Sequence, residues 1–565
     1  MVYKPLPIGI DNFEMLITRG YYFIDKSMLI KELIDKKSSV NLFTRPRRFG
    51  KTLNMSMLQY FFEDAREEDG RKKETASLFD GLDIMKMDEK YLACMGQYPV
   101  ISLSLKAGKQ PNFALAYDML IRQIAYEYER HSFILKDERL NEQRERYLEI
   151  MREKAERSSY SDSLQFLSKC LEKYYGKKVI ILIDEYDVPL ENAFFEGFYD
   201  EMVGFLRSLF ETALKTNSSL EFAVITGCLR ISKESIFTGL NNLEIISLTS
   251  KQYDEYFGFT DAEVRKLCKD YNLNNKYDLI KEWYNGYVFG NTNVYNPWSV
   301  IRFIKDLKED EHVFPCSYWA NTSSNSIVRT LIERADMDTK EEIEALIEGN
   351  NVEKPIHEDI TYDEVYKTMD HLWNFMFFTG YFKKVNEWMD EKTKQHFVEL
   401  SIPNQEVKCI FRTKILSWFR EKIEEKDLSV LYTALVNKDV EIFEEEMNAV
   451  LLETISFNDA YENFYHGFVA GILSGMKDYR VKSNREGGNG RSDLFIKPPT
   501  RRKPAFVIEF KVADRFEQLA DKAEEALRQI EDRRYVEELK NDGYQTIIQY
   551  GISFFRKDCM IKIKE

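Results

Sequence analysis

Five short apolar runs, at residues 39–44, 99–105, 179–183, 222–226 and 244–248, recur through the first half of the chain between longer stretches of helical periodicity. They are continuous, not alternating, and a strand that is apolar on both sides must be covered on both sides. A parallel sheet with helices on each face meets that demand, so residues 1–250 are expected to form an α/β core. Beyond it the pattern changes. Residues 251–330 read as a helical lid, with Thr260 as an N-cap before a helix. Residues 331–450 read as a mostly helical, charged connecting region with short strands near 380–385 and 397–402. Residues 451–565 read as a second α/β domain: a helix, then strands punctuated by Gly487-Gly488-Asn489-Gly490 and Pro498-Pro499, a charged helix over 516–539, and a last strand near 545–552.

A chain of 565 residues is longer than one hydrophobic core usually organises, which agrees with several domains. No run approaches the roughly 18 apolar residues that span a bilayer, and Met1–Gly9 lacks the apolar centre of a secretory signal. The seven cysteines are scattered and never spaced C-x-x-C, so reduced thiols in a cytoplasmic protein are expected, with no membrane association. A formal net charge of −15 excludes a surface that is basic all over.

The first apolar run leads into Arg45-Pro46-Arg47-Arg48-Phe49-Gly50-Lys51-Thr52. A strand, a turn ending in Gly-Lys-Thr and a helix with Leu53, Met57 and Phe61 on one side form a phosphate-binding loop. Backbone N–H groups at the helix start face the phosphates, Lys51 reaches the β and γ oxygens, and the Thr52 hydroxyl binds Mg²⁺. Arg45 stands where such loops carry their first glycine, and it joins Gly50, Lys51 and Thr52 in the expected nucleotide-binding set. Losing that glycine removes the easiest route to positive φ, which leaves room for weak or slow hydrolysis.

Such a site needs a second element, and Val179-Ile-Ile-Leu-Ile-Asp184-Glu185 supplies it. Asp184, at the mouth of a buried strand, would hold the Mg²⁺, and Glu185 would orient and deprotonate the attacking water. The strand Phe222-Ala-Val-Ile-Thr226 ends in a hydroxyl that would sense the γ-phosphate, with Arg230 close enough in sequence to complete the site. An ordinary strand-to-loop transition explains Thr226 and Arg230 nearly as well.

Near the C-terminus, Phe506-Val-Ile-Glu509-Phe-Lys511-Val512 alternates, with Phe506, Ile508, Phe510 and Val512 on one face and Glu509 and Lys511 on the other. The expectation is a strand that buries one side and offers a carboxylate and an ammonium from the other. Asp493, on a preceding strand, completes D…E-x-K. Two carboxylates on neighbouring strands would hold Mg²⁺ against a phosphodiester while the lysine orients a water; the competing reading is a salt bridge between Glu509 and Lys511. Within residues 477–503, Lys477, Arg480, Lys482, Arg485, Arg491, Lys497, Arg501, Arg502 and Lys503 outnumber three acids, an excess of six positive charges in an acidic chain. That reversal suits contact with a nucleic-acid backbone, most naturally DNA, although solvated loop charge would also produce it.

Taken together, Tyr22-Phe-Ile-Asp25-Lys26, the Arg45–Thr52 loop, Ile183-Asp-Glu-Tyr-Asp187, Ile225-Thr-Gly-Cys-Leu-Arg-Ile-Ser-Lys-Glu-Ser235 and Tyr295-Asn-Pro-Trp-Ser299 resemble bacterial AAA-ATPase-like proteins that carry a C-terminal PD-(D/E)xK nuclease-superfamily domain. The resemblance implies a P-loop NTPase sheet with a helical lid, a helical middle region and a restriction-endonuclease-like α/β domain. It implies ATP and Mg²⁺ as cofactors, and it makes Arg45 a family variant of the loop. By the same resemblance Asp25, Lys26 and Asn296-Pro297-Trp298 lie near the nucleotide base or the lid, Glu462 joins the second metal set from a helix, and Gln529 supports Lys511. The proline of the family name is replaced by Ser492. ATPases of this kind often complete a site with a neighbour's arginine, which is compatible with a homo-oligomer. The expected function is ATP binding and hydrolysis coupled to a Mg²⁺-dependent nuclease-like domain acting on DNA. The alternative is a nucleotide-controlled switch whose C-terminal domain binds nucleic acid or protein without cutting.

Overall fold

The computed structural model describes residues 3–564 except 68, 230–235, 238–239, 320–336, 357–364, 366–367, 414–426, 455–461, 477–478, 488–489 and 534; the side chains of 337, 340, 341, 344, 452–454, 462–464, 466, 467, 483–487 and 490–493 are also outside the description. The chain forms two compact units. One comprises Met1–Leu331 and Asn351–Ile410, the other Ile332–Asn350 and Phe411–Glu565.

The five apolar runs become five strands of one parallel sheet: β1 (Val40–Thr44), β2 (Val100–Ser104), β3 (Val179–Asp184), β4 (Leu220–Gly227) and β5 (Leu243–Ile246), in the order β5-β1-β4-β3-β2. Every residue of β1 and β3 is buried, as continuous apolar runs require. The order reverses at β1, which was made first and lies between β4 and β5. In open α/β sheets the crevice beyond the carboxyl ends of the strands at such a reversal is where ligands bind.

The lid expected over 251–330 is not wholly helical. Thr260 does cap the helix Asp261–Asp270, in a capping box closed by Glu263. Ahead of and after that helix, β6 (Phe259–Thr260), β7 (Tyr287–Phe289) and β8 (Thr292–Tyr295) pair antiparallel in the order β6-β8-β7. The helices pack through Val264, Leu267, Ile280, Tyr284, Phe303 and Ile304. The 331–450 stretch, expected as one connecting region, is divided between the units. Its strands β9 (Val352–Pro355), β10 (Lys383–Met389) and β11 (His396–Ser401) form a small antiparallel sheet in the first unit. Its helices Ser429–Asn437 and Val440–Thr454 belong to the second.

The second unit is built on a mixed sheet, β12 (Arg480–Gly487), β13 (Gly490–Lys497), β14 (Ala505–Val512), β15 (Ile547–Phe555) and β16 (Asp558–Lys564), in chain order. Only β14 and β15 run parallel, and a parallel pair needs a crossover. The helices Leu519–Asp532 and Tyr535–Asn541 provide it, where one charged helix over 516–539 was expected. The strand β14 departs from expectation in a way that matters. Its two faces are both covered: Phe506, Ile508 and Phe510 pack among Leu431, Leu435, Phe443, Met447 and Val469, while Val507 packs with Phe495, Leu527, Ile530 and Leu539. Glu509 therefore emerges from a buried strand, not from a solvated face.

Candidate functional site

The phosphate loop occupies the carboxyl end of β1, and the helix Lys51–Phe62 follows it directly. Positive φ occurs within the loop at Arg48 (73°) and Gly50 (83°), not at Arg45. Replacing the first glycine of the loop thus carries no backbone strain at position 45; the strained L-residue is Arg48, at a cost of about 1 kcal/mol.

Arg45 is fully buried, and its side chain turns into the fold. Its Nη1 donates to the carbonyls of Thr44 (2.9 Å), Ile246 (2.9 Å) and Ser247 (2.8 Å), and its guanidinium lies between the rings of Phe257 and Phe289, 5.3 and 5.1 Å from their centroids. Burial pushes its pKa down to about 9, opposed by Asp254. The side chain expected to bind nucleotide is a structural pin joining β1, β5 and the lid.

Lys51 folds over the loop, its Nζ donating to the carbonyls of Arg45 (2.8 Å) and Pro46 (2.9 Å). The Thr52 hydroxyl donates to Asp184 Oδ2 at 2.7 Å, and the Thr226 hydroxyl donates to the other carboxylate oxygen of Asp184. Two hydroxyls, one from the helix after β1 and one from the end of β4, therefore meet at the carboxylate that ends β3. Thr226 braces Asp184 here, where contact with a γ-phosphate was expected.

Glu185 follows at φ 54°, leaving the strand axis abruptly, and its carboxyl is held above the usual range by burial and then by Asp184 beside it. A raised pKa suits a group that must take a proton. Arg230 lies outside the described residues.

Residues given no chemical role from sequence complete the region. Asp187 is buried, and its Oδ2 accepts the backbone N–H groups of Cys228 (2.6 Å) and Leu229 (3.1 Å), shaping the loop after β4. Gly227 is needed there because a Cβ would come within 2.4 Å of the Tyr186 ring. Arg47 pairs with Glu191, one helical turn beyond Asp187. That four-residue spacing of acids was the available signal. Arg48 lies over Trp298 at 4.4 Å, so Asn296-Pro297-Trp298 does lie beside the loop: Asn296 caps the helix Pro297–Glu309 and Trp298 carries the arginine. Asp25 instead accepts the N–H groups of Ser27 and Asp83, and Lys26 reaches the lid helix through Glu263 at 2.7 Å.

In the second unit Glu509 is 2% exposed. Gln529, from the crossover helix, donates to its Oε1, and Lys511 Nζ lies 4.0 Å from the same oxygen. Gln529 thus holds the carboxylate, whereas support of the lysine was expected. The helix comes this close because Gly551 faces it; a Cβ there would meet the Ala523 carbonyl at 2.3 Å and Leu527 at 2.9 Å. The pairing of β13 with β14 runs from Leu494 opposite Ile508 to Ile496 opposite Phe506 and begins one residue after position 493. The side chains of Asp493 and Glu462 lie outside the described residues. Among the described residues no group of three or more histidine, cysteine, aspartate or glutamate side chains gathers as a metal set would.

The basic segment is less free than its composition implies. Lys497 is buried, with its ammonium 2.8 Å from both Glu538 and Asp542. No helix of the described residues is long and apolar enough to cross a membrane.

Residues 7–237 match the family described as predicted AAA-ATPase, and residues 460–564 match the PD-(D/E)XK nuclease superfamily. Over 570 aligned residues the chain is 25% identical to a protein of Azotobacter chroococcum mcd 1, named "Uncharacterized protein in vnfD 5'region"; the match covers 98% of this chain and 97% of that one.

Proposed function

We propose that this chain, an AAA-ATPase-like domain joined to a PD-(D/E)XK nuclease-superfamily domain, binds and hydrolyses ATP at the Gly50-Lys51-Thr52 loop and cleaves DNA phosphodiesters at the Glu509-Lys511 centre. The observation that carries the first half is the meeting of Thr52 and Thr226 on Asp184 at the carboxyl ends of the parallel strands. A hydroxyl and a carboxylate are the oxygen donors that Mg²⁺ prefers, so the residues present fit the ion. When bound, Mg²⁺ supplies charge neutralisation on the phosphate oxygens. The chain's own residues do the rest. Lys51 exchanges its loop carbonyls for phosphate oxygens, the N–H groups at the helix start orient the chain of phosphates, and Glu185 accepts the proton of the attacking water.

At the second centre Glu509 is the described carboxylate that would hold Mg²⁺, with Asp493 of the neighbouring strand as its expected partner; Gln529 fixes the Glu509 carboxylate, and Lys511 positions a water. The cations of residues 477–503 other than Lys497 would contact the DNA backbone. The decisive experiment is plasmid nicking with Mg²⁺ by the unaltered chain and by Lys511→Ala. Loss of nicking in the variant is expected, and equal residual nicking in both would end the nuclease half.

The contact of Arg48 with Trp298 favours a second reading, in which nucleotide drives a switch through the lid and the C-terminal domain binds without cutting. Nucleotide-dependent oligomerisation with no metal-dependent cleavage would select it.

A further inference from the structure

Arg47 and Arg48 are adjacent in the loop and diverge. Arg48 turns to Trp298, a ring that also takes Arg302 at 5.1 Å. Arg47 turns the other way, to the helix Val188–Glu196 that follows β3, where its Nη2 pairs with Glu191. In that corner it lies within electrostatic reach of Asp187 and Cys228. Lys51 borders the same corner, with its Nζ 3.6 Å from Cys228 Sγ. If Thr52 and Asp184 hold the ion and Glu185 takes the proton of the water, the terminal phosphate lies on this side of the loop.

Four carboxylates, Asp184, Glu185, Asp187 and Glu191, border that region. A triphosphate entering it needs more than one lysine to offset them. The Arg47 side chain is about one-third exposed and reaches from the loop itself. Burial raises the Glu191 carboxyl above its usual range and Arg47 opposes that shift.

We propose that Arg47 is a catalytic arginine supplied by the same chain, held ready by Glu191 and transferred to the terminal phosphate of ATP during hydrolysis. This rests on the ATPase reading above. In the step, the water oxygen bonds to the terminal phosphorus, the bond from that phosphorus to the bridging oxygen breaks to release ADP, and the water's proton passes to Glu185. Arg47 donates two N–H bonds to oxygens of the transferred group and is unchanged at the end. No arginine from a neighbouring copy is then required.

The test uses the full chain with Mg²⁺ and titration calorimetry. ADP alone and ADP with fluoroaluminate, which imitates the group in transfer, are bound to the unaltered protein and to Arg47→Ala, Arg47→Lys and Lys51→Ala, with ATP turnover measured alongside. Arg47→Ala is expected to bind ADP within about threefold of the unaltered protein, to lose the tightening by fluoroaluminate, and to lower turnover on the order of 10³-fold, with little recovery in Arg47→Lys. Undiminished fluoroaluminate trapping in Arg47→Ala would overturn the proposal. So would loss of ADP binding as complete as in Lys51→Ala, or recovered turnover on mixing Arg47→Ala with Lys51→Ala, which would place the arginine in trans. ADP binding that is absent from the unaltered protein, or unaffected by Lys51→Ala, would instead remove the nucleotide reading and this assignment with it.

Discussion

The two sheets place their carboxylates by opposite means. Asp184 sits at the last residue of β3, where the chain leaves the sheet, and its partners are hydroxyls from the helix after β1 and from the end of β4. Glu509 sits inside β14, with its strand covered on both faces, and depends on a side chain from a crossover helix. A strand end exposes backbone donors and tolerates charge. A strand interior demands that each charge be met individually, because an unpartnered buried polar group costs about 1–3 kcal/mol. The first site should therefore fail through loss of ligand contacts, and the second through loss of packing as well.

The largest effect tests the strand-end case. Lys51→Ala should weaken ADP binding at least about 100-fold by calorimetry while leaving denaturant unfolding of the second unit unchanged. If it also destabilises the protein, the distinction between a ligand site and a structural one breaks there.

Acidity sharpens the comparison next. Glu406 is fully buried in the first unit, accepting Ser299 Oγ and the Trp319 N–H at 2.9 Å, and burial raises its pKa from 4.5 to about 7. Between those values the folded state keeps a proton that the unfolded state releases, so stability is fully present below pH 4.5 and falls until about pH 7. The loss should amount to a few kcal/mol, and Glu406→Gln should flatten it in melts across that range.

Two glycines give a matched pair. Gly551→Ala drives a Cβ into the Ala523 backbone carbonyl and should cost about 1–3 kcal/mol in denaturant unfolding. Gly227→Ala meets the buried Tyr186 ring, whose hydroxyl is held by the Leu229 carbonyl, so a comparable loss of stability is expected together with a change in nucleotide affinity. A Gly551→Ala protein as stable as the unaltered one would show that Gln529 does not need so close a helix. The smallest effect belongs to Thr226→Val, which removes one brace from Asp184 and should cost about 1 kcal/mol.

Much of this was legible beforehand. Five continuous apolar runs determined five parallel strands, because burial on both faces leaves no polar position to alternate, and the loop, the helix at Lys51 and the Thr260 cap followed from local residue chemistry. The burial of β14 was harder to read. Its second face shows Val507, Glu509 and Lys511, and two charges outweighed one valine until Phe495 and Leu527 were seen against it. The Lys497 ammonium looked available for phosphate because its partners, Glu538 and Asp542, are more than forty residues away. Strands β6 to β9 and β16 were missed, being short or rich in lysine and acid. The division of 331–450 between units had no local signature, since a charged amphipathic helix does not announce which body its apolar side will meet.

Arg45 carries one lesson for anyone wishing to improve this protein. Position 45 invites repair, since a glycine there would return the loop to its commonest form. Yet Arg45→Gly would empty an aromatic cage, strand the carbonyls of Ile246 and Ser247, and unfasten the loop from the edge of its own sheet. What looks like a blemish in the motif is its rivet, and the reversion should wreck the nucleotide loop rather than mend it.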